Sequence, residues 1–140
     1  MIMIKLTKRH RANLRKHDKF LRNQAVQSKF DMQYLAVDYR GDKIEDVSDV
    51  CVCGTVMCSL GYAALCFPRI ARQHDNWDEF CQDIFGMEPY KGWLVWDFLF
   101  NGKWTRIDNT ITGAADRIDY FLKHGVPVDR WNPEVYRSAS

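Results

Sequence analysis

No apolar run in this chain approaches the roughly 20 residues that a membrane-spanning helix needs. A membrane partner is therefore not expected. The opening Met1-Ile-Met-Ile4 is too short for the apolar core of a signal peptide and runs straight into basic residues. The expectation is a cytoplasmic protein with reduced thiols. The motifs of nucleotide and metalloprotease chemistry are missing too: the sequence has no P-loop, no G-x-G-x-x-G and no His-Glu-x-x-His. Its five cysteines do not form ligand pairs. Cys51, Cys53 and Cys58 are separated by one and by four residues, whereas a structural zinc site needs two pairs with about two to four residues between members. Cys66 and Cys81 fall on or beside apolar stripes, where a thiol packs as a small hydrophobe. His10 and His17 are seven apart, two helical turns, too distant to share one ion. Neither a metal nor another cofactor is expected. With four prolines, eight glycines and no repeat or linker, residues 1–140 read as a single domain.

What is present is aromatic and unevenly charged. Hydrophobic residues make up 46% and aromatics 14%, with five tryptophans. The net charge of +2 conceals a split: residues 1–30 hold nine Lys or Arg against Asp18 alone, about +8, which leaves about −6 on the remainder. Such a split means either an end that faces nucleic acid or an internal electrostatic match.

Helix punctuation is clear. Residues 7–24 form a basic helix capped by Thr7, with a Leu14/Leu21 seam that His10 and His17 continue. Lys8, Arg9, Arg11, Arg15, Lys16, Lys19 and Arg22 cover the opposite side of a cylinder about 27 Å long. Because Arg11, Arg15 and Arg22 lie off the seam, folding should not depend on them. Residues 41–50 (Gly41, Asp42, Glu45, Asp46, Ser48, Asp49) read as an acidic loop. A second helix is expected after Gly54, with Val56, Leu60, Ala63, Ala64 and Phe67 on one face and Pro68 ending or kinking it. A third starts near Asn76, carries Trp77, Phe80, Cys81, Ile84 and Phe85 inward, and closes on Gly86. The fourth runs from the Thr110 cap through Ile111, Ala114, Ala115, Ile118, Phe121 and Leu122 to Gly125-Val126-Pro127. Residues 30–40 and 93–105 are open between strand and helix, since Trp96, Phe98 and Phe100 alternate but the runs are short. Trp131 and Tyr136 can pin the tail, residues 131–140, to the body. The fold class is mainly α: a single compact domain of about four helices, with room for a small β element.

Catalytic readings are weaker. Cys53, just ahead of a helix, can be drawn as a nucleophile with His74 or His124 as base and Asp108 or Asn109 as orienting group, giving a cysteine-dependent hydrolase. Asp116/Asp119 and Asp78/Glu79 read as surface carboxylates, with Asp119 and Lys123 an i,i+4 pair. Asp108-Asn109-Thr110 reads as a capping turn.

Two motifs carry a resemblance. One is Cys53-Gly54-Thr55-Val56-Met57-Cys58 leading into Gly61-Tyr62-Ala63-Ala64. The other is Asp108-Asn109-Thr110, then Gly113-Ala114-Ala115 and Arg117-Ile118, closing on His124-Gly125-Val126-Pro127. In this order, with Trp-rich sequence between, residues 50–127 resemble a family of small tailed-phage and prophage proteins of unassigned activity. The resemblance implies an accessory protein in a bacterial cytoplasm, and it carries over no catalytic or binding residue. The leading expectation is a non-enzymatic accessory protein that binds and modulates a host macromolecule, a protein first of all. The candidate contacts are Lys8, Arg9, Arg11, Arg15, Lys16, Lys19 and Arg22, together with Trp93, Trp96 and Trp104. A nucleic-acid-binding protein using the basic helix is the alternative, and the Cys53 hydrolase the third reading.

Overall fold

The computed structural model describes residues 6–23, 30–34, 36–37, 41–50, 56–87 and 94–137. Cys51, Cys53, Gly54, Thr55 and Trp93, all singled out above, lie outside the described residues. The fold is mainly helical. In chain order the elements are α1 (Lys8–Arg22), β1 (Ala36–Val37), β2 (Val56–Met57), α2 (Ser59–Cys66), α3 (Pro68–Ala71), α4 (Trp77–Phe85), α5 (Leu94–Phe100), α6 (Ile111–His124) and α7 (Pro133–Arg137).

α1 is the central strut, packed against α6, α4 and α2. Thr7 caps it, its hydroxyl accepting from His10 N at 3.1 Å. Leu14, His17, Asp18 and Leu21 are buried. The Leu14/Leu21 seam is thus the inner face, but it also takes in a carboxylate.

The second helix begins later than its sequence pattern suggests. Val56 and Met57 form β2, paired antiparallel with β1, and the helix starts at Ser59. Hydrogen bonds hold the approach extended: Asp31 N donates to Met57 O at 3.0 Å and Cys58 N to Tyr34 O at 2.7 Å. α2 is buried on almost every side, Leu65 excepted, so its small residues allow close approach all round rather than on one face. Phe67 separates it from α3, whose first residue is Pro68, where a missing N–H costs nothing.

α4 follows its signals closely. The Asn76 side chain accepts from Glu79 N at 2.9 Å, and Gly86 ends the helix in the left-handed region at φ +70°. That glycine also faces the His10 ring, which a Cβ would strike.

Residues 93–105 hold no strand among those described. α5 is followed by a 3-10 turn, Gly102–Arg106, that Asn101 caps by accepting from Lys103 N at 2.8 Å. The alternation of Trp96, Phe98 and Phe100 misleads because Val95 and Leu99 are buried as well. A helix buried on most sides leaves no polar face to set the period. In 30–40, β1 and a bridge from Phe30 to Met57 realise the small β element.

α6 is capped by Thr110, whose hydroxyl accepts from Gly113 N at 2.9 Å. Ile111, Ala114, Ala115, Ile118 and Phe121 are buried. The tail is pinned by Tyr136, fully buried, and by Trp131, half-buried against Trp104. The buried apolar residues of these elements form one core cluster.

Candidate functional site

Each arginine of α1 makes a polar contact with another part of the fold. Arg9 donates to Asp83 O at 2.7 Å and to its carboxylate at 3.0 Å. Arg11 donates to Leu122 O at 2.6 Å, at the carbonyl end of α6 where a cation suits the helix dipole. Arg15 reaches Asp119 at 2.6 Å and Asp18 at 3.3 Å. Arg22 reaches Asp18 at 2.7 Å and Asp116 at 2.9 Å. Lys123 joins the same set at Asp119, 3.0 Å away. Three cations and three carboxylates therefore close into one network along the α1–α6 seam. Burial pushes the Asp18 carboxyl above its ordinary value, against the pull of Arg22. Asp119 is held below its ordinary value because Arg15 and Lys123 outweigh its burial.

One expectation is corrected. Asp116 and Asp119 are not surface decoration; they are the acidic half of a helix–helix contact. Arg9, Arg11, Arg15 and Arg22 each make a contact within the fold, and Arg9, Arg11 and Arg22 stay exposed as well. The charge split between the first 30 residues and the rest is an internal match over most of α1. Lys8, Lys16 and Lys19 are the exposed remainder, and even Lys16 sits 4.9 Å from the centre of the Phe67 ring.

The tryptophan candidates need a similar correction. Trp104 is fully buried and Trp96 is 6% exposed. Trp104 donates its indole N–H to Asp97 O at 3.0 Å and stacks on Arg117, whose guanidinium carbon lies 3.9 Å from the ring centre. Neither ring faces a partner.

Beneath Trp104 lies a polar knot. Asp108, buried, accepts from Tyr136 Oη at 2.6 Å and from Thr110 Oγ1 at 2.6 Å. Arg117, 0% exposed, donates to Tyr136 Oη at 3.1 Å and stands 3.7 Å from Asp108, while Arg137 approaches the same carboxylate at 3.3 Å. Burial works to raise the Asp108 carboxyl, but the Thr110 and Tyr136 hydroxyls and the two arginines hold it below its ordinary value. Burial and the adjacent carboxylate push the Tyr136 phenol up. A charged Asp and a protonated Tyr locked together bind the tail to α6. The Asp108-Asn109-Thr110 turn is thus more than a cap. Gly113 lies so close to the Asp108 carboxylate that a Cβ would collide with it.

Cys58, Cys66 and Cys81 are buried and form no disulfide. Burial pushes the Cys58 and Cys66 thiols up to about 11, and Cys81 well above its ordinary value. No group of residues able to hold a metal ion occurs among the described residues. For the Cys53 reading, the candidate base His74 is paired with Asp83 at 2.9 Å, and His124 lies against Tyr120 with ring centres 4.8 Å apart.

The outward-facing cluster that the sequence reading missed surrounds Trp131. Its ring packs on Trp104, centres 5.2 Å apart. Lys103 Nζ lies 4.6 Å and the Arg130 guanidinium 5.4 Å from the Trp131 centre. Arg106 follows Lys103 by three residues on the 3-10 turn, where such positions eclipse. Val128, on the loop before it, is fully exposed. The sequence signal was Lys103, Trp104 and Arg106 recurring against Arg130 and Trp131, two basic–aromatic pairs 27 residues apart.

No family model, curated protein or solved structure matches the chain.

Proposed function

We propose that the protein acts by stoichiometric binding to a partner protein, with the Trp131 cluster as the contact. The observation that carries this reading is the stack itself: a partly buried indole, backed by a fully buried one, flanked by Lys103 and Arg130. Trp and Arg dominate the energetic centres of protein interfaces, because a large rigid ring loses little entropy and a guanidinium stacks as well as it hydrogen-bonds. Lys103 fits an acidic partner surface, while Arg130 stacks on the ring and stands 3.5 Å from Asp97. The motif resemblance to small phage proteins supports a phage-type accessory protein that modulates a host protein in a bacterial cytoplasm.

Nucleic acid is the second reading, favoured by the exposed Lys8, Lys16 and Lys19. Seven phosphate contacts on duplex DNA give a slope of log affinity on log salt near −6, whereas three give about −3. With four arginines engaged, the shallower slope is the one α1 can supply. The test is capture from bacterial lysate with and without nuclease, comparing the natural chain with Trp131→Ala and Lys103→Glu. A nuclease-resistant partner lost in both variants is expected. Capture abolished by nuclease, or unchanged in Trp131→Ala, overturns the reading.

A further inference from the structure

A cavity of about 160 Å³ opens where three segments meet. Met32 and Gln33 come from the turn before β1, Cys58 from the entry to α2, and Trp96, Phe100, Asn101 and Gly102 from the end of α5 and the following turn. Its walls are tied by hydrogen bonds that do not depend on any ligand. Met32 N donates to Asn109 Oδ1 at 2.7 Å, Cys58 N to Tyr34 O at 2.7 Å, and Asn101 Nδ2 to Asp97 at 2.9 Å. A site held this way needs little ordering when something enters it.

The lining chemistry narrows the occupant. Size comes first: engineered cavities of about 150 Å³ hold a single benzene ring, so one ring fits. Trp96 and Phe100, ring centres 5.2 Å apart, give an aromatic wall, and Met32 and Cys58 add polarisable sulfur. Among the described residues no charged side chain lines the cavity, and an ion entering it would lose water without gaining a counter-charge from them. Two primary amides do line it. The Gln33 amide has no partner among the described residues, and Asn101, after its bonds to Asp97 and Lys103, keeps one N–H and one lone pair. A carboxamide presents a donor beside an acceptor, the pattern that pairs with the edge of a nucleobase.

We propose that this cavity binds a neutral single-ring heteroaromatic carrying a donor next to an acceptor, the chemistry of a free pyrimidine base. The proposal is independent of the Trp131 contact. The experiment titrates the full chain with uracil, toluene and benzoate while following the side-chain amide signals of Gln33 and Asn101 and the Trp96 indole N–H by NMR. Two variants accompany it. Gly102→Phe plugs the cavity from a position where a Cβ meets only Met32 O, at 3.4 Å; Gln33→Leu removes the free amide from an exposed residue and keeps the test intact if the plug fails to fold. Saturable uracil shifts, weakened at least tenfold in either folded variant, with benzoate silent, are the expected result. The proposal falls if uracil gives no saturable shift. It also falls if a folded Gly102→Phe binds as the natural chain does, or if toluene matches uracil and Gln33→Leu changes nothing.

Discussion

His17 offers the sharpest quantitative prediction. Its ring is fully buried between α1 and α2, with Nε2 2.7 Å from Ser59 O and Phe85 and Phe20 against its faces, ring centres 5.5 and 6.4 Å away. Nδ1 is buried without a hydrogen-bond partner. One nitrogen must therefore donate to the Ser59 carbonyl while the other is left bare, which describes a neutral imidazole. Burial lowers its pKa from 6.5 to about 4. A group whose folded pKa is depressed, and whose charged form is the protonated one, contributes full stability above the unfolded value. That contribution drains away as pH falls from about 6.5 to about 4. The drop from 6.5 to about 4 corresponds to about 3 kcal/mol, of which about 2 kcal/mol is gone by pH 5. Asp18, one residue on, titrates in the opposite sense because its pKa is raised, so the His17 part must be isolated by difference. Urea unfolding of the natural chain and of His17→Gln, at pH 8 and pH 5, supplies that difference. Glutamine retains a donor for the Ser59 carbonyl but cannot titrate. The natural chain should lose about 2 kcal/mol more than the variant between the two pH values. Two stability curves that stay parallel within about 0.5 kcal/mol would refute a buried neutral His17.

Three further perturbations follow from the same contacts. Arg22→Glu should lower stability by about 1–3 kcal/mol, because it strips Asp18, whose side chain is 6% exposed, of its closest cation; a thermal melt should fall by roughly 5–10 °C, and an unchanged melt would return α1 to the status of a solvated face. Tyr136→Phe should cost about 1.5–3 kcal/mol by removing the 2.6 Å bond to a buried carboxylate, and limited proteolysis should then release the tail first. Ile118→Asp should abolish cooperative unfolding, since Ile118 is 0% exposed and a lone buried carboxylate costs several kcal/mol, comparable with a whole domain's stability of about 5–15; a folded variant would show that the core face of α6 is misassigned.

The helix punctuation was legible because its physics is local. Thr7, Asn76 and Thr110 cap within three residues of themselves, and Gly86 takes a backbone conformation that other residues resist. What was illegible depends on partners distant in sequence. Trp104 looks like an interface residue until Arg117 and Trp131 are seen to close both sides of it. Val56 looks helical until β1 is found to pair with it. Asp18 is the instructive intermediate case. It is the lone acid in a basic run, three residues after Arg15 and four before Arg22, and that spacing was visible in the sequence. The burial of its carboxylate was not, because it depends on α6 arriving with Asp116 and Asp119.

The division between arginine and lysine on α1 follows from their chemistry. A guanidinium is weakly hydrated and offers a planar fork, so it can bridge two acceptors without giving up much water. Arg15 and Arg22 each do this, meeting at Asp18 and reaching on to Asp119 and Asp116. An ammonium is compact and strongly hydrated, and the exposed Lys8, Lys16 and Lys19 take no part in the carboxylate network of the α1–α6 seam. A net charge of about +8 on the first 30 residues therefore says little about a nucleic-acid partner. Substituting lysine at both Arg15 and Arg22 separates the two views. It conserves every charge that a phosphate backbone would sense and removes the forks that the α1–α6 contact uses. If α1 serves inside the fold, the double substitution should lower the melt although net charge is unchanged. If α1 serves outside, stability should hold and salt-dependent binding should be preserved.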